Sequence, residues 1–319
     1  MPAKYMHDVL PTLAAWRRAG HRAVLATLVF VDGSAPRPRG SQMAIRDDGT
    51  AVGNLTGGCA EAAIIAEAQD CLAKQANRIV RYGKDSPYID IRLPCGSGID
   101  VFFDVTLPED ELARVLAANA AREPASLVFD CAALTLQVAR GVVEARAASE
   151  WVRICEPPIR IWAVGKGPLV PLIAQLGTAA EFEVIVCSSE RETLDMARPY
   201  AFEARALTTP DGFDCGPLDA WTAFLSLFHE HEWDPPILEK ALASRAFYVG
   251  ALGSRRTAEA RRETLAGMGI PPAVIARLHG PVGLDLGARS PPEIALAILG
   301  EIVQVRRRHA DPVNAEARR

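Results

Sequence analysis

Long apolar runs are absent from this chain. No stretch approaches the 18 apolar residues of a membrane-spanning helix, and Asp8 stands where a secretory signal needs its apolar centre. No membrane partner and a cytoplasmic location are expected. Paired cysteine motifs are absent too: Cys59, Cys71, Cys95, Cys131, Cys155, Cys187 and Cys215 are odd in number and widely spread, with no C-x-x-C pair to form a zinc ribbon or redox dithiol. Reduced thiols are expected. An excess of positive charge is also lacking, since 35 Lys and Arg stand against 39 Asp and Glu for a net charge of -4, and nothing draws the chain as a whole to nucleic acid. Any anion site must be local. No internal repeat or low-complexity segment is visible.

What is present is the balance of an ordinary globular protein, with 49% hydrophobic and 23% charged residues. At 319 residues the chain exceeds one usual domain, so two are expected. The pattern over the first third predicts a helix at 9–18, strands at 23–31, 43–46 and 51–55, a helix at 60–76, and strands at 78–82 and 99–105. Asp47-Asp48-Gly49-Thr50 between two strand-like runs is a hairpin signal. Residues 1–105 are read as an N-terminal α/β domain and 106–156 as a connecting segment, with a helix at 109–122 and strand-like pieces at 127–129 and 134–138. Pro157-Pro158 interrupts regular structure, and 157–319 restarts with a strand at 160–164, a glycine turn, a helical run and a strand at 183–187. That is one βαβ unit. Ser290-Pro291-Pro292-Glu293 marks the start of a closing helix, whose apolar face is Ile294, Ile298 and Ile302. The fold class is α/β: an N-terminal α/β domain plus a C-terminal Rossmann-like doubly wound domain.

Several segments carry chemistry. Gly165-Lys166-Gly167 follows a strand and opens a helix, the setting in which a glycine turn admits a pyrophosphate to the helix N-terminus. The third fingerprint position is Val170, however, and the second strand ends in Cys187-Ser188-Ser189 instead of an acid that would bind a ribose hydroxyl. These departures argue against tight NAD(P) binding, while Glu190 and Arg191 just beyond leave other ligands open. A second glycine loop, Gly250-Ala251-Leu252-Gly253-Ser254-Arg255-Arg256, joins backbone donors to a hydroxyl and two guanidinium groups, which suits phosphate. A solvated turn reads equally well.

In the N-terminal domain, Thr56-Gly57-Gly58-Cys59 places a thiol at the start of the helix, where the positive helix end favours a thiolate. Cys95 sits in a similar loop, Leu93-Pro94-Cys95-Gly96-Ser97-Gly98. Gly33-Ser34-Ala35-Pro36-Arg37-Pro38-Arg39-Gly40 is stiff and basic, offering Ser34 and Arg37 to a phosphate. His229 and His231 would point the same way if the strand before them continued, which makes them weak candidates for a metal.

Taken in order, these segments resemble the XdhC/CoxI family of accessory proteins for xanthine dehydrogenase and related molybdenum hydroxylases. The carriers are Gly33 to Arg37, Gly57-Gly58-Cys59-Ala60-Glu61, Cys95-Gly96, Gly165-Lys166-Gly167, His229-Glu230-His231 with Asp234, Tyr248 to Arg256, and Gly283 to Arg289. The resemblance implies a maturation chaperone that binds molybdenum cofactor, as molybdopterin or its cytosine dinucleotide, protects it during sulfuration and hands it to a molybdenum hydroxylase large subunit. It also implies a cysteine desulfurase partner; a homodimer stays open. Cys59, with Cys95, would then be the ligand for metal or sulfur, and Gly57, Gly58, Gly165, Gly167, Gly250, Gly253, Ser254, Arg255 and Arg256 would hold the cofactor. Two other readings remain: an NAD(P)-dependent oxidoreductase, and a protein-bridging scaffold that touches no cofactor.

Overall fold

The computed structural model describes residues 8–86, 96–210, 212–216, 218–228 and 233–310, and divides at the paired prolines into a unit of residues 1–157 and a unit of residues 158–319. In the first unit the elements run α1 (Leu10–Arg18), β1 (Ala23–Asp32), β2 (Gln42–Arg46), β3 (Ala51–Gly53), α2 (Glu61–Lys74), β4 (Arg78–Gly83), β5 (Gly98–Asp104), α3 (Glu109–Ala120), β6 (Ala125–Asp130), β7 (Thr135–Arg140) and β8 (Glu150–Cys155). The first five strands form an antiparallel sheet in the order β3-β2-β1-β5-β4. The predicted hairpin joins β2 to β3, with Ile45 opposite Ala51.

Strand β1 is buried from Ala23 to Val29 because both of its faces are covered. Val24, Ala26 and Leu28 pack with Ile64, Ala68 and Cys71 of α2, whereas Leu25 and Val29 share the opposite core with Leu10, Leu13, Leu112, Val115 and Phe129. Residues 106–156, read above as a connecting segment, belong to the first unit. They contribute α3 and a three-stranded sheet, β7-β6-β8, whose Phe129 meets Phe102 edge-on at 5.4 Å. Strand β8 was not expected, since Glu150, Arg153 and their neighbours are only half-buried and give a weak period-two pattern.

The second unit contains β9 (Arg160–Gly165), α4 (Leu169–Ala179), β10 (Glu183–Ser188), α5 (Arg191–Ala197), β11 (Glu203–Ala206), β12 (Thr222–Leu227), α6 (Asp234–Leu242), β13 (Tyr248–Ala251), α7 (Arg255–Gly267), α8 (Pro272–Ile275), β14 (Leu278–His279) and α9 (Pro291–Ala310). Its parallel sheet has the order β11-β10-β9-β12-β13-β14. Ile161 and Ala163 of β9 face α4 and α9, while Trp162 and Val164 face α6 and α7. The order reverses between β9 and β12, and in such sheets ligands bind at that switch, beyond the carboxyl ends of the strands. Both glycine loops lie at that edge.

Val170, which lacked the glycine expected for close helix packing, is fully buried. Close approach is supplied one helical stretch later by Gly177, where an added Cβ would lie 2.7 Å from Val184 of β10. The closing helix starts as expected: the Glu293 carboxylate accepts the backbone N–H groups of Arg289 and Ser290, each at 2.9 Å.

Candidate functional site

In the first unit three loops meet at one end of the five-stranded sheet. An added Cβ on Gly57 would lie 3.7 Å from Cβ of Pro36, and one on Gly33 would lie 3.6 Å from Cβ of Ser97. The proline-arginine loop therefore touches both the Thr56 to Cys59 turn and the segment that follows Cys95. Cys95 itself lies outside the described residues. The proline-arginine loop is held at its far end by β8: Arg153 donates Nε to the Gly40 carbonyl at 3.0 Å, and the Arg39 guanidinium lies 4.7 Å over the Trp151 ring. Ser34 is exposed, and Arg37 is half-buried with its Nε enclosed and without a hydrogen-bond partner among the described residues.

The Thr56 to Cys59 turn is shaped by Glu61, the first residue of α2. Its carboxylate accepts from Asn54 Nδ2 at 3.0 Å, Thr56 N at 2.9 Å, Leu55 N at 3.3 Å and Ala60 N at 3.3 Å, as well as from the Thr56 hydroxyl. Burial opposes ionisation of Glu61, but the bonds from Thr56, Leu55 and its own backbone outweigh that and hold the carboxyl below the usual range. Gly57 and Gly58 adopt left-handed φ values of 78° and 111°, which glycine alone takes without strain, and among the described residues no side chain fills the space beside Gly58. Cys59 is exposed at the tip. The helix dipole expected to serve its thiol is shared with the Glu61 carboxylate at the same helix end.

In the second unit Gly165 lets β9 lie against β12, since an added Cβ would fall 2.7 Å from the Leu227 backbone. Gly167 has a φ of 83°, and none of the described residues comes near its Cβ position. Its N–H is not free: it donates to Glu190 Oε2 at 3.2 Å and to Thr193 Oγ1 at 3.0 Å. The acid missing from the end of β10 is thus supplied two residues further on, by a side chain that turns back to the glycine loop.

At the second glycine loop, Gly250 packs under Tyr248 and Val282, and Gly253 packs against Thr257, each too closely for a Cβ. The Ser254 hydroxyl, expected to reach a ligand, caps α7 by accepting from Thr257 N at 3.1 Å. Arg255 and Arg256 are exposed on the first turn of α7. His229 and His231 lie outside the described residues, and among the described residues no group of three or more His, Cys, Asp or Glu side chains is placed to hold a metal. Nor does any described helix have the length and apolarity to cross a membrane.

A family model described as the XdhC Rossmann domain matches residues 161–302, and one described as the XdhC and CoxI family matches residues 16–83. The molybdenum cofactor insertion chaperone PaoD of Escherichia coli is 31% identical over 288 residues, which cover 90% of this chain and 85% of PaoD. The chain belongs to the XdhC and CoxI family. A protein of Bacillus subtilis described as a probable xanthine dehydrogenase subunit is 26% identical, over 90% of this chain and 94% of that protein. A crystal structure of a xanthine dehydrogenase from Bacillus halodurans has the same fold, with a TM-score of 0.79 and 23% identity across 97% of this chain and 98% of that one.

Within this family member, sequence reasoning passed over one polar cluster at the same sheet edge. Asp234, which opens α6, receives Arg261 of α7 through Nε at 3.0 Å and Nη2 at 2.5 Å, and also accepts from the Ser226 hydroxyl of β12. Arg261 Nη2 further donates to the Leu252 carbonyl at 2.9 Å, within the second glycine loop. A signal was available: Ala258, Arg261 and Leu265 share one face of α7, and all three are buried. An arginine on an apolar stripe calls for a buried partner.

Proposed function

We propose that the protein binds molybdenum cofactor as its cargo, in the form of molybdopterin or its cytosine dinucleotide, protects it during sulfuration, and delivers it to the large subunit of a xanthine dehydrogenase- or aldehyde oxidoreductase-type molybdoenzyme. The observation that carries this reading is the likeness to a molybdenum cofactor insertion chaperone over 90% of the chain, which includes both units. The residues present suit such a cargo. An exposed thiol at Cys59 matches a soft metal or a sulfur atom, and the exposed guanidinium groups of Arg255 and Arg256 at a helix start match phosphate. Arg37, half-buried in the loop that touches the thiol turn, adds a cation on that side. A cysteine desulfurase would supply the sulfur in the cytoplasm, and a second copy of the chain is an allowed partner.

The oxidoreductase reading is weakened by Glu190, because a pyrophosphate at the Gly167 N–H would meet a carboxylate at hydrogen-bond distance. The test is to co-express Cys59→Ser, Cys95→Ser and Arg255→Ala with Arg256→Ala alongside an apo-molybdoenzyme, to measure sulfurated cofactor in the purified partner, and to titrate each purified variant with molybdenum cofactor. Loss of activation in Cys59→Ser, with a rise of at least about tenfold in the cofactor dissociation constant of the double arginine variant, is expected. Full activation by all three variants would overturn the reading in favour of a scaffold.

A further inference from the structure

Helix α9 carries two apolar rows. Ala295, Ile298, Ile302 and Val305 are buried in the core of the second unit and serve the helix's own packing. Leu296 and Val303 stand on the opposite side, 56% and 42% exposed, and their spacing sets one two turns beyond the other on a single line. Gly300 lies between them, and Leu284 occupies the notch it leaves, since an added Cβ would fall 3.0 Å from the Leu284 side chain. The loop so held also carries Leu286, which is 63% exposed and donates its N–H to the Leu284 carbonyl at 2.9 Å. Among the described residues the row stays open. Single exposed apolar residues need no explanation, but a row at this spacing is the seam on which two helices pack. The segment after α9, residues 311–319, has Val313 as its one large apolar side chain, too little to cover three.

Charge says which partner fits. Glu293 is exposed one turn before Leu296, and Arg307 is exposed one turn after Val303. Hydrogen bonds from the backbone N–H groups of Ser290 and Arg289 hold the Glu293 carboxyl below its ordinary value, so it keeps its charge. A segment that complements this row presents, in reverse order, a cation, two apolar side chains and an anion. The row itself, turned end for end, is such a segment. We propose that α9 is a homodimer interface, on which a second copy of this chain packs antiparallel about a two-fold axis near Gly300. Leu296 then faces Val303 of the second copy and Glu293 faces its Arg307, and the symmetry makes each pair twice. From Glu293 to Arg307 the row runs about 21 Å, and with three large apolar side chains it is smaller than the roughly 800 Å² per partner of a standard interface. The dimer is therefore weak, dissociating in the micromolar range. This pairing goes beyond the cofactor reading and does not rest on it.

Sedimentation velocity of the full chain over a micromolar concentration series tests the interface. Wild type is expected to pass from monomer to dimer as concentration rises. Leu296→Asp, at an exposed position that should leave the melting temperature unchanged, should raise the dimer dissociation constant by about tenfold or more, because the change enters twice. Arg307→Glu should also weaken the dimer. Adding Glu293→Gln, which keeps an acceptor for the start of α9 but removes the like charge, should restore part of that loss, and no recovery overturns the antiparallel order. A dimer that survives Leu296→Asp unchanged overturns the assignment of α9. A wild-type chain that stays monomeric at every concentration overturns the self-pairing; a lower melting temperature in Leu296→Asp then gives the row to a segment of the same chain, and lost binding of an apo-molybdoenzyme gives it to that partner.

Discussion

Arg261 and Asp234 stand 27 residues apart in the chain and face each other with 3% of each side chain exposed. The pair ties the first turn of α6 to the inner face of α7, and through Leu252 it ties both to the second glycine loop. Removing one partner strands a charge in the core, so Arg261→Ala and Asp234→Ala should each lose about 3–5 kcal/mol. Replacing both with apolar residues, Asp234→Leu with Arg261→Met, should lie closer to wild type than either single change. Urea unfolding measures all three, and additive losses in the double variant would refute the pairing.

A pH dependence follows from Glu301 on α9. Burial opposes its ionisation, but hydrogen bonds from His279 at 3.0 Å, Tyr248 at 2.6 Å and Gly283 N at 2.6 Å prevail and hold its carboxyl below the ordinary value near 4.5. A carboxyl whose folded value is depressed stabilises the fold above its unfolded value and ceases to do so as pH falls through the folded one. Glu301→Gln should therefore be less stable than wild type near neutral pH and converge with it in acid. Melting temperatures recorded from neutral to acidic pH decide this, and a constant gap would remove Glu301 as the cause.

The Thr56 to Cys59 turn should depend on the charge of Glu61. Glu61→Gln keeps the size of the side chain but weakens charge-assisted bonds to the backbone N–H groups of Leu55, Thr56 and Ala60. Hydrogen exchange at those three amides should speed up by about tenfold or more, while the amides of β1 stay protected. Unchanged exchange at Thr56 would show that the glycines alone shape the turn.

Thiol chemistry should follow exposure. Burial pushes the Cys71 thiol up to about 11 and the Cys187 thiol up to about 12, and Cys155 is raised for the same reason. Iodoacetamide at neutral pH should label Cys59 well before these three, as read by mass spectrometry of peptides. Cys59→Ser should leave the melting temperature nearly unchanged, whereas Cys71→Ser, which puts a hydroxyl among Val24, Ala26 and Ile64, should lower it. Early labelling of Cys71 in native protein would contradict the packing of α2.

Most elements were legible in the sequence because local rules set them. The hairpin at Asp48-Gly49, the apolar spacing of α2, the boundary at Pro157-Pro158 and the capping acid Glu293 each act within a few residues. The order of motifs along the chain also sufficed for the family resemblance. Distant pairings were not legible. Glu190 returning to Gly167, Arg261 reaching Asp234, and β8 clamping Gly40 through Arg153 all join residues 23 to 113 positions apart, and no periodicity encodes which polar side chain will meet which backbone. Composition and local pattern determined that two α/β units form and where their glycine turns fall. The guanidinium groups after Gly253 stand in the sequence itself, whereas only the tertiary structure brought a carboxylate to the Gly167 N–H, because that depends on which distant side chain the packed helices place there.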